Sequence, residues 1–314
     1  EEMEWLESAA FSWLLPAGCQ YEDSSQAGLA TLTCEMAQRG AGTRDSRRFI
    51  SDLENLGADV SSNVSGPHTL FGGAMPAESL EQVLEIYSEV ILAPHFPEEQ
   101  FEDAQALALQ EARSVEDELS QRLMIEARRR FYADPFGRSS IGTVASLEKL
   151  TLNDVRNFFQ KSFRPQETIL AVAGKIDWPR LRDHVGRLFV DWSGSNNAQW
   201  EEIPPARGYR HITVDSQQVH LTLAFDAPPY RNPDYFQMYG GIGVLSDGMS
   251  SRLFTEVREK RGLCYTVHAS CQSQLDRGAV FSYAGTTSER AQETLDVLWQ
   301  EIQRLFQQGI EEEE

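Results

Sequence analysis

Three kinds of residue in this sequence could carry chemistry: four cysteines, six histidines and a short glycine cluster. Cys19, Cys34, Cys264 and Cys271 are widely scattered, and none forms the C-x-x-C pair of a redox centre or zinc ribbon. They read as reduced, structural thiols. Of His68, His95, His184, His211, His220 and His268, only His268 stands four residues from another His or a Cys, the spacing that sets two metal ligands on one helix face, and its neighbour Cys264 leads into a stretch that reads as a strand. Surface or satisfied core roles are expected for all six. The cluster Gly240-Gly241-Ile242-Gly243 lacks the preceding strand and following basic residue of a phosphate loop, so close helix packing is expected there.

Charge narrows the partners. With 28 Lys+Arg against 48 Asp+Glu the formal net charge is −20, and the richest basic run is only Arg128, Arg129 and Arg130, read as a solvated helix face. A nucleic-acid binder needs a basic stripe to release counterions from phosphates, so no nucleic-acid role is expected. The acidity serves solubility, and at long range it would favour basic peptides. No apolar run approaches the ~20 residues of a membrane helix, and Glu1, Glu2 and Glu4 are acidic where a secretory leader is basic. A soluble protein without a membrane partner is expected, cytoplasmic in preference to periplasmic.

The elements that must position any site follow from periodicity. A length of 314 residues with 41% hydrophobic content supports two cores. Alternation predicts a strand over 9–15, and Ser24 or Ser25 is expected to cap a helix running to about 39. There follow a helix over 45–56, strands over 59–65 and 69–75, a helix over 78–92 and a long charged helix over 98–132. Next come a short helix, a helix over 152–162, a strand over 168–173 and a helix over 179–189. The polar, proline-containing stretch 193–208 reads as a linker between domains 1–192 and 209–314. Beyond it the order restarts: strand 219–225, helices 235–245 and 250–260, strands 265–272 and 279–285, helix 289–308. That repeats strand, helix, helix, strand, strand, helix, and predicts a duplicated α+β unit. The first half continues through 93–193 with elements that have no later counterpart, so the second domain is expected to be the truncated one.

Several stretches carry a resemblance. They are Gly28-Leu-Ala30, Asp134-Pro-Phe-Gly137, Ile141-Gly142-Thr143, Leu170-Ala-Val-Ala-Gly174, Ser250-Ser-Arg-Leu-Phe254 and Arg258-Glu-Lys-Arg-Gly-Leu-Cys-Tyr265. In order and spacing the chain resembles the pitrilysin/insulinase family of zinc peptidases, which includes the mitochondrial processing peptidase. The resemblance implies duplicated metallopeptidase-like α/β domains, each an antiparallel-rich sheet flanked by helices. It also implies an H-x-x-E-H helix whose two His bind zinc while the Glu serves as base. Here Thr31 replaces the first His, Cys34 the Glu and Glu35 the second His, whereas Glu111 matches the third ligand. No catalytic set is intact, and no metal is expected in this chain.

In the family an Arg and a Tyr seven residues apart hold substrate against the zinc of the other half. Arg258 and Tyr265 match, and an Arg fork with a phenol suits a peptide carbonyl and its developing oxyanion. The resemblance therefore implies a non-catalytic, substrate-binding subunit. Its expected partners are an H-x-x-E-H homologue that carries the zinc and an extended peptide, with self-association into a homo-oligomer left open. Two rivals remain: an assembly protein of the same fold without a proteolytic role, and an enzyme with an altered metal site.

Overall fold

The computed structural model describes residues 1–195 and 201–310, and the chain divides into two compact units. One comprises Glu1–Asp117 with Tyr132–Pro205, the other Glu118–Phe131 with Ala206–Glu314. Of the expected linker 193–208, residues 196–200 lie outside the described residues, as does the closing Glu run 311–314.

In the first unit the elements are β1 (Ser8–Leu15), α1 (Leu29–Ala37), the two-residue strands β2 (Gly40–Ala41) and β3 (Arg44–Asp45), and α2 (Ser46–Asn55). They continue with β4 (Asp59–Val64), β5 (Thr69–Pro76), α3 (Leu80–Leu92) and α4 (Phe101–Asp117). In the second unit's N-terminal piece lies α5 (Leu119–Phe131). The first unit then closes with α6 (Val144–Leu147), α7 (Leu152–Ser162), β6 (Ile169–Gly174) and α8 (Trp178–Leu188). Its sheet runs β4-β5-β1-β6 with every pair antiparallel. Ala9, Phe11, Trp13 and Leu15 alternate along β1 and all point into the core, as the period of two requires. At the centre the Tyr87 ring of α3 meets Phe11 at 5.2 Å, Phe71 at 5.7 Å and Phe49 at 6.0 Å.

The second unit adds β7 (Gln218–Asp226), α9 (Tyr235–Ser246), a π-helical turn Phe254–Glu259, β8 (Thr266–Cys271), β9 (Ala279–Thr287) and α10 (Ala291–Gln308). Its antiparallel sheet has the order β7-β9-β8, which matches β1-β5-β4 of the first unit strand for strand. The duplication is therefore present in topology as well as in element order. Val280 of β9, Leu245 of α9, Val257 of the π turn and Leu298 of α10 form its core. Helix α5 packs on β7, and its Phe131 ring lies 5.5 Å from Phe281. Arg207 covers that Phe131 ring at 4.0 Å while holding Asp226 through two bonds of 2.7 and 2.8 Å.

Four expectations needed correction. Ser24 and Ser25 do not cap α1, which begins after Gly28 in a left-handed conformation (φ 95°). Its first amides are instead met by Glu22, whose carboxyl oxygens accept from Ala30 N at 2.7 Å and Gly28 N at 3.2 Å. The long helix predicted over 98–132 is two helices that part at Glu118, with no proline or glycine to signal the break. The helix expected over 250–260 is the π-helical turn. Close packing at Gly240 and Gly241 is absent, since a Cβ at either would meet nothing within 4 Å, and the α9 residues Phe236 and Tyr239 are exposed. The equivalent helix α1 is covered by α4 and α7, and no counterpart of these two occurs in the second unit among the described residues.

Glu22 gives the fold a pH dependence. Burial pushes its carboxyl up from 4.5 to about 8, outweighing the two amide donors and the nearby Arg138. The folded chain thus holds a proton that the unfolded chain has released. This contribution to stability is complete below the unfolded value and is lost as pH climbs through the folded one. The urea midpoint should fall between about pH 5 and about pH 8, and Glu22→Gln should flatten that segment. Identical slopes for both proteins would contradict the assignment.

Candidate functional site

Two separate sets of residues matter, one in each unit. In the first unit Thr31, Cys34 and Glu35 lie on α1, and α1 packs against α4, which carries Glu111. Each replaced ligand position is engaged by the protein itself. The Thr31 hydroxyl donates to Ser140 O at 2.7 Å. Glu35 is taken by Arg39 one turn on, through bonds of 3.1 and 3.0 Å. Cys34 is only 4% exposed, and burial pushes its thiol up to about 12, so it carries no thiolate at neutral pH. Gln38 closes the neighbourhood by donating to Cys34 O at 3.1 Å and to Ser62 Oγ at 3.0 Å. Glu111 stands exposed on α4, its main-chain carbonyl accepting from the Ser114 hydroxyl at 2.7 Å.

These side chains do not fit a zinc ion. A site needs three or four converging His, Cys or carboxylate donors. Here one candidate is a committed hydroxyl, one a buried neutral thiol and one an ion-paired carboxylate. Among the described residues no group of three His, Cys, Asp or Glu could hold a metal. The histidines serve other ends: His95 contacts Gly42 O at 2.8 Å, and His220 contacts Tyr283 Oη at 2.7 Å.

In the second unit Arg258 and Tyr265 do come together. The π turn is fixed from below by buried Val257, and Lys260 N donates to Thr255 O at 2.9 Å in the wide-turn pattern. Gly262 then takes a left-handed conformation (φ 58°), with its N–H on Arg258 O at 2.9 Å and the Leu263 N–H on Val257 O at 3.0 Å. That reversal returns the chain so that Tyr265, at the mouth of β8, stands beside Arg258. The guanidinium carbon lies 5.4 Å from the centre of the Tyr265 ring and 4.7 Å from that of Phe254. Tyr265 is 84% exposed, and neither its hydroxyl nor the Arg258 guanidinium makes a hydrogen bond among the described residues. The neighbouring cations differ. Lys260 and Arg261 both end on Glu256 at 2.6 Å, and these two bonds hold its carboxyl below the usual carboxylate range. Two cationic neighbours therefore share one carboxylate, while the Arg258 guanidinium makes no hydrogen bond among the described residues.

The spacing of Arg258 and Tyr265 was visible in the sequence; the aromatic bed supplied by Phe254 and the sorting of charges by Glu256 were not. Neither leaves a periodic signal, because both depend on the wide turn.

The first set yields a direct test. Thr31→His with Glu35→His places two imidazoles four residues apart on one face of α1, next to the helix that bears Glu111. The double variant should bind about one zinc per chain, where the natural chain binds far less. Absence of zinc from a folded double variant would mean that Glu111 does not face α1.

Two family models match the chain in succession. Residues 7–143 match the family model for insulinase (peptidase family M16), and residues 149–314 match that for the peptidase M16 inactive domain. An uncharacterized zinc protease of Rickettsia felis is 25% identical over 313 residues, spanning 99% of this chain and 76% of that protein. The crystal structure of a peptidase M16 inactive domain from Pseudomonas fluorescens superposes with a TM-score of 0.90 at 23% identity, covering 100% of this chain and 77% of that one. A protease from Helicobacter pylori gives a TM-score of 0.87 at 16% identity over 98% of this chain and 76% of that one. With a matching model over more than half its length, the chain belongs to the insulinase family of peptidases, M16.

Proposed function

We propose that this chain is the non-catalytic, substrate-binding member of a zinc metalloendopeptidase pair. Its partner would be a homologue with an intact H-x-x-E-H helix that carries the zinc and the general base. Together they would enclose an extended peptide and cleave it. The chain alone would hydrolyse nothing, because α1 offers neither ligands nor base. In this reading the domain 1–192 keeps the degenerate metal positions, 193–208 joins the domains, and 209–314 carries the Arg/Tyr pair. A cytoplasmic location is part of the same proposal; what bears on it is that among the described residues no helix is long and apolar enough to cross a membrane.

One observation carries the reading. Arg258 and Tyr265 stand together with uncommitted donors, whereas the three replaced positions on α1 have their side chains engaged or buried. A guanidinium fork and a phenol both donate to oxygen, the atom that gains charge when a peptide carbonyl is attacked. Arg258 would hold the scissile carbonyl and Tyr265 would stabilise the tetrahedral intermediate.

Loss of an oxyanion donor costs about 2.7–4 kcal/mol of transition-state stabilisation, so Tyr265→Phe should slow peptide hydrolysis by the reconstituted pair roughly 100-fold or more. Folding should survive, since the hydroxyl is exposed and unbonded within the chain. The assay compares wild-type and variant chains at matched occupancy of the partner. Unchanged turnover with Tyr265→Phe and Arg258→Ala combined would favour an assembly role for the same fold.

A further inference from the structure

We infer that Phe254 is a positioning residue, which acts through Arg258 by giving its guanidinium an aromatic bed; this rests on the substrate-binding reading of Arg258. Three observations bear on it. The Arg258 guanidinium carbon sits over the Phe254 ring at 4.7 Å, closer than over Tyr265 at 5.4 Å. The nearest carboxylate oxygen is Glu259 Oε1 at 3.9 Å from Nε, too far for a hydrogen bond, and Glu259 itself is exposed. The stronger local acid, Glu256, is taken up by Lys260 and Arg261 at 2.6 Å each.

An arginine without a hydrogen-bonded carboxylate is normally a mobile surface side chain. Here its orientation comes from stacking, and stacking has a particular chemical advantage. A ring face attracts the cation through its π system, while the N–H donors lie in the guanidinium plane and stay open. A carboxylate partner would fix the side chain equally well but would consume those same donors. The Phe254 ring therefore orders Arg258 without competing with the oxygen it is to receive.

The local backbone serves the arrangement. Phe254 and Arg258 are the first and fifth residues of the π-helical turn, and Leu253 and Val257, the residue before each, are fully buried. Both anchors are held by the core, so the side chains that follow them emerge on the same stretch of surface. Phe254→Leu keeps apolar bulk and removes the ring; Phe254→Tyr keeps the ring.

The test has two parts. In the isolated chain, nitrogen relaxation of the Arg258 Nε–H group should give an order parameter typical of a held side chain in the wild type. It should fall to a flexible value in Phe254→Leu and return in Phe254→Tyr, with unchanged thermal midpoints. In the reconstituted pair, Phe254→Leu should lower kcat for a quenched-fluorescence peptide roughly tenfold with little change in KM, and Phe254→Tyr should restore it. Equal Arg258 mobility in all three proteins overturns the inference, whatever the turnover. If mobility changes as expected while Arg258→Ala leaves turnover intact, the positioning stands and the substrate-binding reading of Arg258 fails instead.

Discussion

Glu256 sorts the cations around the π turn of the second unit. Its carboxylate gathers Lys260 and Arg261, and that one act of charge pairing leaves Arg258 the cation without a hydrogen-bonded partner on the turn. The wide turn then presents Arg258 to two rings, and Gly262 reverses the chain so that Tyr265 arrives beside it.

The first unit has gone the other way. At the positions where the family resemblance implies zinc ligands, Thr31 is bonded to a main-chain carbonyl, Cys34 is folded into the core and Glu35 is paired with Arg39. None of these polar groups has been left exposed and unpaired in a vacated pocket. The helix has been absorbed into the structure, anchored at its start by the buried Glu22. A chain built this way keeps the family's frame, with the side chains on α1 committed to the fold.

Much of the frame could be read in the sequence, because strands such as β1 alternate cleanly and the order of elements repeats after residue 208. The misread parts are those where a tertiary contact overrides a local signal. Ser24 and Ser25 looked like caps, but the buried carboxyl group of Glu22 holds the amides of α1. Nothing local marks the break at Glu118, and a π turn has the same apolar spacing as an α-helix over six residues. For the candidate site, motif spacing singled out Arg258, Tyr265 and the four degenerate positions, and the structure brings Arg258 and Tyr265 side by side. The aromatic bed and the charge sorting are geometric facts that no spacing rule encodes.

The central claim is that this chain supplies substrate contacts and its homologue supplies the metal. The most direct measurement is zinc content together with peptide hydrolysis for the chain, for its H-x-x-E-H partner and for their mixture, each purified. The account predicts one zinc per pair, found in the partner, and hydrolysis that needs both chains. Stoichiometric zinc in this chain with chelator-sensitive hydrolysis by it alone would contradict the account.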